Sequence, residues 1–169
     1  MVTNYIQEVD NRSMTLLIIK LVIDVSSAFC LLDFNGANKM SIRVLIVDHH
    51  DQIRRLVRAF FLAEFGFQIC GEAVDGYQAI MKAQLLKPDL IVLEVAIPRL
   101  NGVEAAPKLR KLLPKTPIIL FTSHGSLLKG CDTREIGVDS VVAKQDGMSA
   151  LGKSVHTLFA RSPATSTTK

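Results

Sequence analysis

Arg43-Val44-Leu45-Ile46-Val47-Asp48 is the stretch that decides the fold, a continuous and mostly branched apolar run that ends on a carboxylate. A strand that is apolar on both faces belongs inside a parallel sheet, with helices covering it above and below. The residues beyond it agree. Ile53, Leu56, Val57, Phe60 and Phe61 recur at helical spacing, with Asp51 placed to cap the helix start and Gly66 near its end. Together they predict a strand followed by an amphipathic helix.

The alternation repeats four more times. Phe67-Gln68-Ile69-Cys70 reads as a short strand, and Asp75-Gly76-Tyr77-Gln78 opens a helix with Asp75 and Gln78 at capping-box spacing; Pro88 enforces its end. Leu90-Ile91-Val92-Leu93 is the third strand, and a helix over 103–113 follows, which Pro107 should kink or shift at its start. Ile118-Ile119-Leu120-Phe121 is the fourth strand, 126–136 a weak helix containing Gly130, and Ser140-Val141-Val142-Ala143 the fifth strand. Met148, Leu151, Val155, Leu158 and Phe159 supply the stripe of a final helix. Five such units predict an α/β fold of the flavodoxin-like class, a doubly wound (βα)5 three-layer sandwich around a five-stranded parallel sheet.

In such a sheet the carboxyl ends of all strands lie along one edge, so residues just past them converge whatever their separation in sequence. Those residues are Asp48 and His49, Glu94, Thr122 and Lys144. A carboxylate at that edge is seldom there for packing, because burying an unpaired charge is costly. Acids, a hydroxyl and an ammonium gathered there suit an anionic group or a divalent cation.

At this point the chain resembles the receiver domain of bacterial two-component response regulators. The resemblance covers roughly residues 41–161 and rests on motifs that occur in order: Val44-Leu45-Ile46-Val47-Asp48, Gly71-Glu72-Ala73 with Asp75-Gly76, Pro88-Asp89-Leu90-Ile91-Val92-Leu93 with Pro98 and Gly102, Pro117-Ile118-Ile119-Leu120-Phe121-Thr122, and Gly137-Val138-Asp139 before Lys144. It implies a phosphorelay protein that takes a phosphoryl group from a sensor histidine kinase and is not itself an enzyme. Glu94 falls at the phosphoacceptor position, Asp48 and His49 form the acidic pocket, and Thr122 matches the hydroxyl that bonds the phosphoryl oxygens. Lys144 matches the lysine that pairs with acceptor and phosphoryl charge. Mg²⁺ would be held by Asp48, Glu94 and the carbonyl of Ala96.

Three departures fall on that machinery: the acceptor aspartate is Glu94, the second acid is His49, and the aromatic switch position is Val141. Glutamate carries its carboxylate about 1.5 Å further out, and in-line transfer loses on the order of 100-fold for an error near 1 Å. Histidine replaces a hard oxygen ligand that Mg²⁺ prefers. The expectation is a degenerate pseudo-receiver with weakened Mg²⁺ binding, Glu94 mimicking the charged state by pairing with Lys144. Against it stand a receiver with working but unusual chemistry, a flavodoxin-like ligand-binding or enzymatic domain, and a partly exposed Glu94–Lys144 pair that only stabilises the sheet edge. The loop His49-His50-Asp51-Gln52 lacks a Gly- or Thr-rich phosphate cradle, which disfavours the flavin version.

The run His49-His50-Asp51 has the residue types of a transition-metal site, but adjacent histidines on an extended segment should point apart, and Asp51 is assigned to capping. With 49% hydrophobic and 21% charged residues and a formal charge of +4 from scattered Lys and Arg, composition favours a globular domain over a nucleic-acid binder. Three dispersed cysteines point to a reducing, cytoplasmic setting. Residues 1–40 read as a leader, an amphipathic helix or a segment outside the folded unit; Lys20 and Asp24 argue against a membrane span. Residues 162–169 read as a disordered Ser/Thr-rich tail. The expected product is a single-domain protein that binds a kinase or another signalling protein, with a homodimer possible through the face of the fourth helix, fifth strand and fifth helix.

Overall fold

The computed structural model describes residues 41–64, 66–125, 133 and 135–160. The expected leader, the tail and most of the expected helix over 126–136 lie outside the described residues. Five strands are present: β1 (Ile42–Val47), β2 (Phe67–Ala73), β3 (Leu90–Leu93), β4 (Ile118–Thr122) and β5 (Ser140–Ala143). They form one all-parallel sheet in the order β2-β1-β3-β4-β5. The described helices are α1 (Asp51–Ala63), α2 (Gly76–Leu86), α3 (Gly102–Leu112) and α4 (Gly147–Ala160), the last being the expected final helix.

Strand alternation divides the core into two layers. Leu45, Val47, Ile91, Leu93, Ile118 and Leu120 point to one face, where Ala79 and Ala83 of α2 and Ala105, Ala106 and Leu109 of α3 close over them. Val44, Ile46, Leu90, Val92, Ile119 and Phe121 point to the other, against Val57 and Phe61 of α1 and Leu151 and Val155 of α4. Small alanines facing large branched residues let α2 and α3 approach one face of the sheet closely, as α1 and α4 cover the other. Burying apolar surface on two faces yields about 25 cal/mol per Å², which explains why Val44–Val47 of β1 and all of β3 are apolar.

Local chemistry corrects three expectations. The cap of α1 is His50, whose side chain makes no capping bond; Asp51 lies in the first turn instead, where its carboxylate pairs with Arg54 and Arg55 at 3.0 and 2.5 Å. β2 runs three residues further than its apolar run, because the register slips between Val44 and Leu45 and the chain continues pairing past Cys70. α3 starts at Gly102 and passes through Pro107 as one helix, capped by Asn101, which accepts from the Glu104 N–H at 2.9 Å. The expected Asp75 cap is present, accepting from the Gln78 N–H at 2.9 Å.

Candidate functional site

Four of the five strands deliver a polar residue to the carboxyl edge, and these four meet: Asp48 and Glu94 are 3% exposed and Thr122 is fully buried, while Lys144 opens the turn Lys144–Asp146 after β5. Glu94 is held at every lone pair that matters. Its Oε1 accepts from the Val95 and Ala96 N–H groups at 2.6 and 3.0 Å and from the Thr122 hydroxyl at 2.5 Å. Its Oε2 pairs with the Lys144 ammonium at 2.5 Å. The Thr122 oxygen in turn accepts from the His124 N–H at 3.0 Å.

Lys144 is shared. The same ammonium donates to Asp48 Oδ2, so one cation lies between two buried carboxylates. The other oxygen of Asp48 accepts from the His50 N–H at 2.8 Å. Among the described residues no buried side-chain nitrogen or oxygen lacks a hydrogen-bond partner. Burial pushes the Glu94 carboxyl up, but the Lys144, Thr122 and Ala96 donors and the Lys144 charge outweigh it and hold the group below its ordinary range. Glu94 is therefore a buried, fully bonded carboxylate, which corrects the picture of a partly exposed pair.

The loop after β3 is shaped by two close approaches. A Cβ on Gly102 would lie 2.3 Å from the Glu94 carbonyl oxygen, and one on Gly76 would lie 2.4 Å from that of Leu100. Only glycine lets α2 and α3 begin against this loop, and the Gly102 N–H fixes it by donating to the Val95 carbonyl at 2.8 Å. Ala96 thus contributes its N–H to the site. Val141 lies on β5 opposite Leu120, half-buried against the first core layer.

Sequence reasoning brought Asp48, Glu94, Thr122 and Lys144 together. It misplaced the histidines: the His49 and His50 rings do not diverge but lie 3.7 Å apart between centroids, with their Nδ1 atoms 3.9 and 3.4 Å from Asp48 Oδ1. Arg54 was missed. Its guanidinium donates to the Asp48 carbonyl, to Glu72 and to Asp51 at 2.8, 3.1 and 3.0 Å, tying the β1 loop to α1 and β2. Its position three residues beyond Asp51 was the available signal.

The response regulator receiver domain family matches residues 44–156. Response regulator protein VraR of Staphylococcus epidermidis is 31% identical over 120 residues, covering 71% of this chain and 57% of that protein. Its counterpart in Staphylococcus aureus is 33% identical over 105 residues, 62% of this chain and 50% of that protein. The chain spans about half the length of these curated relatives. Among solved structures, the response regulator domain of Thermotoga maritima CheB superposes with a TM-score of 0.57 at 27% identity, over 71% of this chain and 92% of that one. The CheX-CheY-BeF3-Mg²⁺ complex of Borrelia burgdorferi gives 0.65 at 22%, over 71% and 90%, a likeness of fold.

The chain is a member of the response regulator receiver domain family, with the flavodoxin-like fold expected of it. Receivers of this family serve two-component signalling, interact with histidine kinases and other signalling proteins, and typically bind Mg²⁺ at the acidic pocket. Among the described residues, no helix is long and apolar enough to cross a membrane.

Proposed function

We propose that this receiver signals through protein–protein contact, in the cytoplasm, without a phosphoryl-transfer cycle of its own and without acting as an enzyme. One observation carries the reading: Glu94 already receives the Thr122 hydroxyl and the Lys144 ammonium, the two groups that its family directs at a phosphoryl oxygen. The extra methylene of glutamate reaches into that position, about 1.5 Å beyond an aspartate. A built-in carboxylate then replaces part of the charge that phosphorylation supplies.

The residues present do not fit Mg²⁺. That ion demands near-octahedral oxygen ligands, whereas the second acid is His49, Asp48 Oδ2 faces Lys144, and the Glu94 oxygens are held by four donors. Val141 supplies no aromatic ring to report a switch. Binding of a kinase or another regulator would be read from a surface set by Glu94, not by a donor.

Adding Mg²⁺ and beryllofluoride to the ¹⁵N-labelled chain tests this. The amide resonances of Val95, Ala96, Thr122 and Lys144 are expected to stay in place. Saturable shifts at those amides in the wild type, absent in Glu94→Gln, would overturn the proposal.

A further inference from the structure

We infer that Asp48, His49 and His50 form a binding site for a borderline transition-metal dication such as Zn²⁺, in place of the hard-cation pocket the fold would otherwise carry. One ligand atom from each residue lies within 4.8 Å of the others. Zinc bonds to imidazole nitrogen and carboxylate oxygen are about 2.0–2.2 Å, which in a tetrahedral site puts neighbouring ligand atoms about 3.4 Å apart. Asp48 Oδ1 and His50 Nδ1 are separated by 3.4 Å, and Asp48 Oδ1 and His49 Nδ1 by 3.9 Å. The second gap closes with a small rotation of the His49 side chain, which is 36% exposed.

Three further features support the assignment. Asp48 divides its work, with Oδ2 facing Lys144 while Oδ1 accepts one backbone N–H and keeps a lone pair on the histidine side. Asp48 and Glu94 set two carboxylates against the single Lys144 ammonium, while the Arg54 guanidinium on the Asp48 backbone carbonyl is engaged by Glu72 and Asp51. A crevice of about 200 Å³ lined by His50, Gln52, Ile53, Ser123 and Lys144 opens beside His50. Two imidazoles and one carboxylate are a donor set that prefers zinc, nickel or copper to magnesium. Three protein ligands leave at least one position open to water or a partner's side chain.

Zn²⁺ titrated by calorimetry into the purified full chain, and Co²⁺ followed by visible absorption, test the site. One ion per chain is expected, with d–d bands of nitrogen and oxygen ligation, no thiolate charge-transfer band, and no displacement by millimolar Mg²⁺. His49→Ala and His50→Ala should each weaken binding about tenfold or more, since even residues behind a metal's direct ligands cost 10–100-fold. His156→Ala, at an exposed histidine that faces the Glu64 carboxylate instead, should leave it unchanged, and circular dichroism verifies that each variant is folded. No binding by the wild type, a thiolate band, or undiminished affinity in the His49→Ala/His50→Ala double variant would overturn the assignment.

Discussion

The Thr122 hydroxyl donates to Glu94 Oε1 across 2.5 Å, from a fully buried residue on β4 to a buried carboxylate at the end of β3. The bond joins adjacent strands at the point where both leave the sheet, so it shapes the site and secures the edge together. Thr122→Val keeps the shape and removes the donor, leaving Glu94 Oε1 with only its two backbone partners. A loss of about 1–3 kcal/mol in unfolding free energy is expected, measured by urea titration.

Lys144 faces two buried carboxylates, so its removal strands both. Lys144→Met should cost about 3–5 kcal/mol, the range for breaking a buried charge pair by deleting one partner. Adding Glu94→Gln to that variant should restore part of the loss, because only Asp48 then lacks its cation. Chemical denaturation of the two single variants and the double variant gives the coupling, and strict additivity would contradict the shared-cation geometry.

Glu94 also sets an acid limb to stability. Its folded-state pKa lies below the ordinary 4.5, so the wild type binds fewer protons when folded than when unfolded. The stability this contributes is fully present above pH 4.5 and is lost as the pH falls through the lowered value. The gap in unfolding free energy between wild type and Glu94→Gln should therefore be widest above that pH and narrow in more acid solution. A gap that widens on acidification would reverse the sign and contradict the pairing.

Gly102→Ala tests the loop. A methyl there meets the Glu94 carbonyl oxygen and the Val95 Cα at 2.3 and 2.9 Å, and backbone atoms cannot rotate away. The loop must shift, at a cost of about 1–3 kcal/mol typical of overpacking, and the amide resonances of Val95 and Ala96 should move with it.

Much of this was legible in the chain because apolar runs report burial directly. Val44 to Val47 and Leu90 to Leu93 could only be central strands, and a parallel sheet then forces Asp48, Glu94, Thr122 and Lys144 to one edge. What could not be read was which way the edge side chains turn. Lys144 joins Asp48 across a separation of 96 residues, a partnership no local pattern encodes. The histidines were expected to diverge as on a strand, but β1 ends at Val47, and the turn into α1 swings both rings beside Asp48. Asp51 was assigned to the cap by residue type, yet Arg54 and Arg55 one turn on claim its carboxylate. Cys70 ended the predicted β2 only because an irregularity in pairing has no apolar signature.

The most direct test of the central claim is incubation of the purified protein with radiolabelled acetyl phosphate and Mg²⁺. With Glu94 occupying the Thr122 and Lys144 contacts and His49 in place of an acid, no acid-stable, hydroxylamine-sensitive label should appear on the wild type. Label that appears on the wild type and vanishes in Glu94→Gln would show Glu94 to be a working acceptor and contradict the account.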